Sequence, residues 1–144
     1  MANVFDVAKY ILDSIGGEIS TMKLQKLCYY AQAWTLVWDD KPLFEEDFEA
    51  WMNGPVCREL FNIHKGCFAV SSDIIPNKKL TNTLTQNQIS NIDRVVDFYG
   101  EKTGGWLSEL THKEDPWKNV WSLSNKNNVI ISKESIKNYY SSLS

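Results

Sequence analysis

The segment THKEDPW, residues 111–117, is the densest gathering of reactive side chains in the sequence. His112, Glu114 and Asp115 offer an imidazole and two carboxylates at close spacing, the materials of a metal site or of a general acid–base pair. Their spacing follows no HExxH-type ligand pattern. The competing reading is structural: His112 bonds a backbone group at a helix end, and Pro116-Trp117 anchors the turn that follows. Cys57, His64 and Cys67 are three conceivable zinc ligands, but no CxxC pair and no evident fourth ligand accompany them. Cys28, as half of a nucleophilic pair, would need a histidine beside it. It falls instead on the inward arc of a helix, where a thiol behaves as a small hydrophobe. G-x-S-x-G, P-loop and G-x-G-x-x-G patterns do not occur. No catalytic residue, metal or cofactor is assigned on these grounds.

Composition narrows the class further. The chain has 144 residues, 43% hydrophobic and 23% charged, which suits one domain, residues 1–144, around one core. The net charge of −3 argues against general affinity for nucleic acid, which needs a basic face. No apolar run approaches the roughly 18 residues of a membrane span. The N-terminus lacks the basic region and cleavage site of a signal peptide. Three cysteines without paired spacing fit free thiols in a reducing cytoplasm, the expected location.

The elements that would position these groups are mostly helical. Apolar residues at helical spacing predict a helix over Val4–Ile15, capped by Asn3 and ended by Gly16-Gly17. A second helix is expected over Met22–Trp38 with Thr21 as N-cap. Leu24, Leu27, Cys28, Ala31, Trp34, Thr35 and Trp38 share its inward arc, and Gln25 and Gln32 form a narrow polar strip. A helix apolar on most sides belongs at the centre of a fold. The acidic run Asp39, Asp40, Glu45, Glu46, Asp47 and Glu49 reads as a solvated loop and edge. Alternation over Phe48–Met52 predicts a short strand. Asn53-Gly54-Pro55 reads as a turn into a third helix over Pro55–Lys65, with Pro55 at N1 and Gly66 past the end. Thr85 and Gln88 form a capping box for a helix through Tyr99. Short helices follow at Gly105–Thr111 and Trp117–Leu123, separated by a turn from His112 to Pro116. A strand at Val129–Ile131 and a last helix capped by Ser132 complete the pattern. The fold class is mainly α (α+β): a single-domain helical bundle around a central hydrophobic helix, with a small β element.

Lys23 and Lys26 stand out in the first turns of the central helix, KLQKLCYYAQAW, where the macrodipole disfavours cations. At an open helix end they would mark a place for an anionic group. That group is either a carboxylate of this chain or one from a partner.

Three segments together resemble the phage-associated GepA family, the SocA-like antitoxin domain also called Panacea. They are TMKLQKLCYYAQAW (21–34), KPLF leading to EAWMNGPV (41–56), and LSELTHKEDPW (107–117). The resemblance spans about residues 4–125. Lys23, Leu24, Gln25, Lys26, Leu27, Tyr29 and Tyr30 match the first motif. Ala50, Trp51, Gly54, Pro55 and Val56 match the second, and Leu107, Thr111, His112, Pro116 and Trp117 the third. Cys28 stands where the family has a leucine, which supports packing rather than nucleophilic chemistry.

The resemblance implies a non-enzymatic antitoxin of a toxin–antitoxin system. It would neutralise a separately encoded toxin by direct binding, or deliver it to a protease as an adaptor. The toxin would be encoded next to it. Expected partner-binding residues are Lys23, Gln25, Lys26, Tyr30, Trp51, His112 and Trp117. Leu24, Leu27, Trp34, Gly54, Pro55, Val56 and Pro116 are expected to carry the motif's structure. On this reading Lys26→Glu impairs neutralisation more than it lowers the melting temperature, and the acidic run faces a basic toxin. The alternatives are a prophage protein that binds a host factor and a metal-dependent hydrolase using His112, Glu114 and Asp115.

Overall fold

The computed structural model describes residues 1–124 and 126–144. It is mainly helical, with a small antiparallel sheet. Helix α1 (Val4–Ile15) begins at a capping box in which Asn3 and Asp6 satisfy each other's backbone N–H. The Asp6 carboxylate also takes the Thr81 hydroxyl and the Thr81 and Asn82 amides, which ties the loop before α4 (Gln86–Tyr99) to α1. Burial alone would raise its pKa, but these hydrogen bonds hold it below the usual value.

Helix α2 (Thr21–Asp39) is the central element, packed by α1, α4, α5 (Gly104–His112) and α7 (Lys133–Leu143). The buried side chains form one connected cluster, in which Tyr29, Tyr30, Tyr140, Phe44 and Phe48 are among the largest. The N-cap of α2 is Ser20, whose hydroxyl accepts the Lys23 amide, rather than Thr21. The one-residue shift has a cause outside the helix. Strand β1 (Ile19–Ser20) pairs with β4 (Ala69–Val70), so the chain stays extended through Ser20.

The polar strip expected on α2 is instead buried: Gln25 and Gln32 are 2% and 1% exposed. Each spends its amide on a backbone segment folded over the helix. Gln32 accepts the Leu43 amide at 2.7 Å and donates to the Phe44 carbonyl at 2.7 Å. Gln32→Leu leaves both buried backbone groups unpaired. It is expected to cost about 2–3 kcal/mol in urea unfolding.

The largest departure from expectation lies at residues 54–56. They form strand β3 (Gly54–Val56), not the start of a helix, and pair antiparallel with β2 (Phe48–Trp51), with Ala50 opposite Pro55. Helix α3 begins only at Arg58 and runs to His64. Strand β5 (Val129–Ile131) pairs with the other side of β2, so β3 is an edge strand, where proline is tolerated. Helix α6 (Asp115–Ser124) starts two residues earlier than expected, and only Lys113 and Glu114 separate it from α5.

The acidic run is also not a free solvated edge. Asp40 pairs with Lys137, Asp47 with Lys133 at 2.6 Å, and Glu49 with Arg58 at 3.0 Å. Asp39 accepts from Asn87 and Asn91, and Glu46 from the Val4 amide. Most of its charge is spent on joining elements of the fold.

Candidate functional site: a hairpin held by three segments

The β2–β3 hairpin explains why the three motif segments belong together. Its backbone carbonyls are gripped one after another by side chains from α2, α5 and α6. The Trp117 indole N–H donates to the Trp51 carbonyl at 2.7 Å. The Ser108 hydroxyl donates to the Asn53 carbonyl. The Lys26 ammonium donates to the Pro55 carbonyl at 3.1 Å. Gln25 closes the series by accepting the Cys57 amide at 2.8 Å and donating to the Cys57 carbonyl at 3.1 Å. These contacts keep residues 54–57 extended and delay the start of α3 until Arg58.

Gly54 fits this arrangement for two reasons. Its φ is +115°, outside the range of ordinary side chains. A Cβ there would also lie 2.7 Å from both Lys26 Cε and Thr111 Oγ1. The lysine stem passes directly under the glycine.

Lys26 is 1% exposed, and its amine faces no carboxylate within 4 Å among the described residues. The internal ion pair weighed for Lys23 and Lys26 is not formed among the described residues, and Lys23 is half-buried at the helix start. Burial pushes the amine's pKa down to about 7. The same charge helps to lower both neighbouring imidazoles, after burial as the larger cause. Gln25 Nε2 lies 3.0 Å from His64 Nε2. The amide can only donate, so the imidazole nitrogen accepts and its proton sits on Nδ1. His112 stacks on Trp117 with ring centroids 4.1 Å apart, and its Nε2 is buried without a partner among the described residues.

The seven residues expected to touch a partner therefore divide. Gln25, Lys26, Tyr30 and Trp117 are buried and bonded internally. Lys23, Trp51 and His112 are half-buried. Beside the hairpin lies a cavity of about 360 Å³ lined by Gln25, Lys26, Trp51, Met52, Phe61 and His64, among others. Of the residues expected to carry the motif's structure, Leu24, Leu27, Gly54, Pro55, Val56 and Pro116 are buried and Trp34 is half-buried.

The cluster His112, Glu114 and Asp115 does not converge. Asp115 is exposed, and Glu114 turns inward. Glu114 Oε1 accepts the Tyr30 hydroxyl at 2.7 Å and the Tyr140 hydroxyl at 2.6 Å. Cys57 is buried, Cys67 is exposed, and the His64 ring is engaged with Gln25. Among the described residues, no three His, Cys, Asp or Glu are gathered to hold a metal ion. Burial raises the Cys28 and Cys57 thiols far above the range in which a thiolate forms at neutral pH.

Burial raises the pKa of Glu114, and the two phenols only partly offset it. The folded protein thus keeps this proton at pH values where the unfolded chain has released it. Stability falls as pH rises from the ordinary carboxyl range through the raised value. Glu114→Gln keeps an oxygen for both phenols and removes the charge. It is expected to flatten that decline and to add up to about 1 kcal/mol at pH 8, read from urea unfolding across pH. A decline equal to the parent's would contradict this.

Sequence reasoning missed Ser108, the Glu114–Tyr140 contact and the backbone role of the two glutamines. Two amides seven residues apart on an otherwise apolar helix were the available signal for the last of these. No helix among the described residues is long and apolar enough to cross a membrane.

Comparison with known proteins places this arrangement. A family described as "Antitoxin SocA-like, Panacea domain" matches residues 24–118, a stretch that contains Gln25, Lys26, Ser108 and Trp117, the four side chains bonded to the hairpin backbone. No curated protein and no solved structure matched the chain. The chain belongs to the SocA-like, Panacea-domain antitoxin family.

Proposed function

We propose that the protein is a non-enzymatic antitoxin that neutralises a separately encoded toxin by direct protein–protein binding. The family match over residues 24–118 carries this reading. Two features of the surface support it. Large hydrophobic side chains stand in solvent at Met52, Phe98 and Trp106. The net charge of −3 favours encounter with a basic partner. Inhibition proceeds by covering the toxin's active surface, in the cytoplasm, where a toxin acting on cellular machinery is met.

The motif residues serve this function in two ways. Gln25, Lys26, Tyr30, His112 and Trp117 act from within, by fixing the hairpin and the helices around it. Lys23 and Trp51 are the members of the expected set that remain available for contact. The test is co-expression with the neighbouring gene. That gene alone is expected to arrest growth, and this chain is expected to restore it and to co-purify with the product. Growth arrest unrelieved by this chain, or a neighbour that is harmless, would overturn the reading. Capture of a host protein in place of the neighbour would assign the chain to host-factor binding instead.

A further inference from the structure

The Gln25 side chain has one orientation open to it. The Cys57 amide can only donate, and it bonds Gln25 Oε1 at 2.8 Å. The Gln25 amide nitrogen therefore takes the other place, where it donates to the Cys57 carbonyl at 3.1 Å and to His64 Nε2 at 3.0 Å. His64 is 5% exposed, and Phe61 packs edge-on to its ring with centroids 5.5 Å apart. Cys57 is the joint between β3 and α3. It is the N-cap residue of α3, and its side chain makes no capping bond. Gln25 holds this joint, and His64 holds Gln25.

The arrangement suits a neutral ring only. A charged imidazole donates from both nitrogens. Its Nε2–H would face a Gln25 N–H across 3.0 Å, donor against donor. Turning the amide over gives no relief. It sets Gln25 Oε1 against the Cys57 carbonyl and the Gln25 amino group against the Cys57 N–H. The added proton is lodged only by giving up the bonds that hold Cys57 or the ring's buried place. Neighbouring charge does not offset it. On α2, Lys26 is itself a cation once protonated, and its charge acts against a second one on the ring. On the hairpin side, burial keeps the Cys57 thiol neutral, and Glu49 is paired with Arg58. On α3 itself, Arg58, Glu59 and Lys65 are exposed. Among the described residues, no carboxylate oxygen lies within 4 Å of the His64 ring nitrogens.

We propose that His64 is a proton-operated latch on the hairpin. The neutral ring lets Gln25 grip Cys57, and the imidazolium opens that grip and frees residues 54–57 with the start of α3. The latch is shut at neutral pH. Burial first, and then the Lys26 charge, lower the ring's pKa from the ordinary 6.5. As pH falls, the unfolded chain takes this proton before the folded one. The shut form therefore loses stability from the ordinary histidine range down to the lowered value. Trp51 and Met52 line the same cavity as His64, so the latch decides whether that face is held in one form. A partner that binds the held form is released in acid, a consequence that rests on the function proposed above.

NMR of the full chain tests the latch without a partner. The chain has two histidines, so the ring signals are told apart by one substitution. At about pH 8 the nitrogen shifts of the His64 ring are expected to place its proton on Nδ1. On acidification the ring is expected to titrate below the ordinary histidine value. Protection of the Cys57 amide against exchange is expected to fall along the same curve, by at least about tenfold relative to the core amides of α2. His64→Gln offers Gln25 a carbonyl acceptor that does not titrate. It is expected to remove the step while Lys26 still titrates. A step that persists in His64→Gln overturns the latch. So does a proton on Nε2 at about pH 8, a ring that stays neutral until the whole protein unfolds, or a Cys57 amide that ignores the His64 curve or follows His112 instead. These last readings come from the parent protein and decide the matter even where His64→Gln does not fold.

Capture of the neighbouring gene product separates the latch from the functional reading. Capture lost along the His64 curve supports the release of a partner in acid. Capture unchanged along that curve overturns the release and not the latch. No capture at about pH 8 overturns the antitoxin reading alone.

Discussion

Gly54→Ala is expected to destabilise the protein by about 3–5 kcal/mol, combining a strained backbone with an overpacked contact. The added methyl has no free direction. Its backbone φ of +115° disfavours any L side chain, and two neighbours stand 2.7 Å from the new atom. One is the buried stem of Lys26, and the other is the Thr111 hydroxyl, which itself donates to the Ser108 carbonyl. Neither is the loose end of an exposed chain. Urea unfolding followed by tryptophan fluorescence reads the loss directly. In a Lys26→Ala background, where one of the two obstacles is gone, the same substitution should cost at least about 1 kcal/mol less, a coupling typical of residues in contact. Additive costs would show that Gly54 and Lys26 do not interact as described.

Lys26→Glu carries the second large effect. It replaces the hydrogen-bond donor to the Pro55 carbonyl by a buried carboxylate facing that same carbonyl. The expected cost is about 3–5 kcal/mol, enough to unfold much of a marginal domain. The substitution is therefore expected to act by loss of the fold, whereas the sequence pointed to Lys26 as a partner contact. Lys26→Met separates the two possibilities. It keeps the apolar stem and leaves one carbonyl without its donor, at about 1–2 kcal/mol.

Lys26→Met also changes the pH dependence. Burial lowers the pKa of the folded amine to about 7, from the ordinary lysine value of 10.5. Between these values the unfolded chain holds the proton and the folded one does not. Stability from this group therefore rises as pH increases through that window, by up to about 1.4 kcal/mol per pH unit. It is lost as pH falls to about 7, where the fold must carry a buried ammonium. Unfolding free energies of the parent should climb from pH 7 to 10 relative to those of Lys26→Met. Parallel curves would contradict the burial of this amine.

The parts of the fold that were legible in the sequence are those decided locally. Asn3 as a cap and Thr85 with Gln88 as a capping box announce helix starts within one turn, and the structure keeps both. The central place of α2 was legible because apolar residues cover most of its circumference. Its chemistry was not, because periodicity counts glutamine and lysine as polar and so predicts exposure. Whether Gln25, Lys26 and Gln32 face water depends on what folds over them, and those segments come from elsewhere in the chain.

Pro55 shows the same limit from the other side. Locally, Gly-Pro before an apolar run is a good helix start. The Pro55 carbonyl is taken by Lys26, 29 residues away, and the Cys57 backbone by Gln25, 32 residues away. These long-range bonds outweigh the local preference and leave a strand. Glu114 is held by Tyr30 across 84 residues, which no spacing rule within THKEDPW could anticipate. The motifs were thus visible as a set before their purpose was. The three separated segments build one hairpin and its supports.

The central claim is that the motif residues hold the hairpin, and amide hydrogen exchange at Cys57 tests it most directly. That amide is bonded to Gln25 Oε1 at 2.8 Å inside the molecule. In the parent protein it should exchange as slowly as the core amides of α2. Gln25→Leu and Lys26→Met should each speed it by at least tenfold relative to those α2 amides, marking local release of the hairpin. Fast exchange at Cys57 in the parent, or exchange unchanged by both substitutions, would show that the hairpin is held by something else.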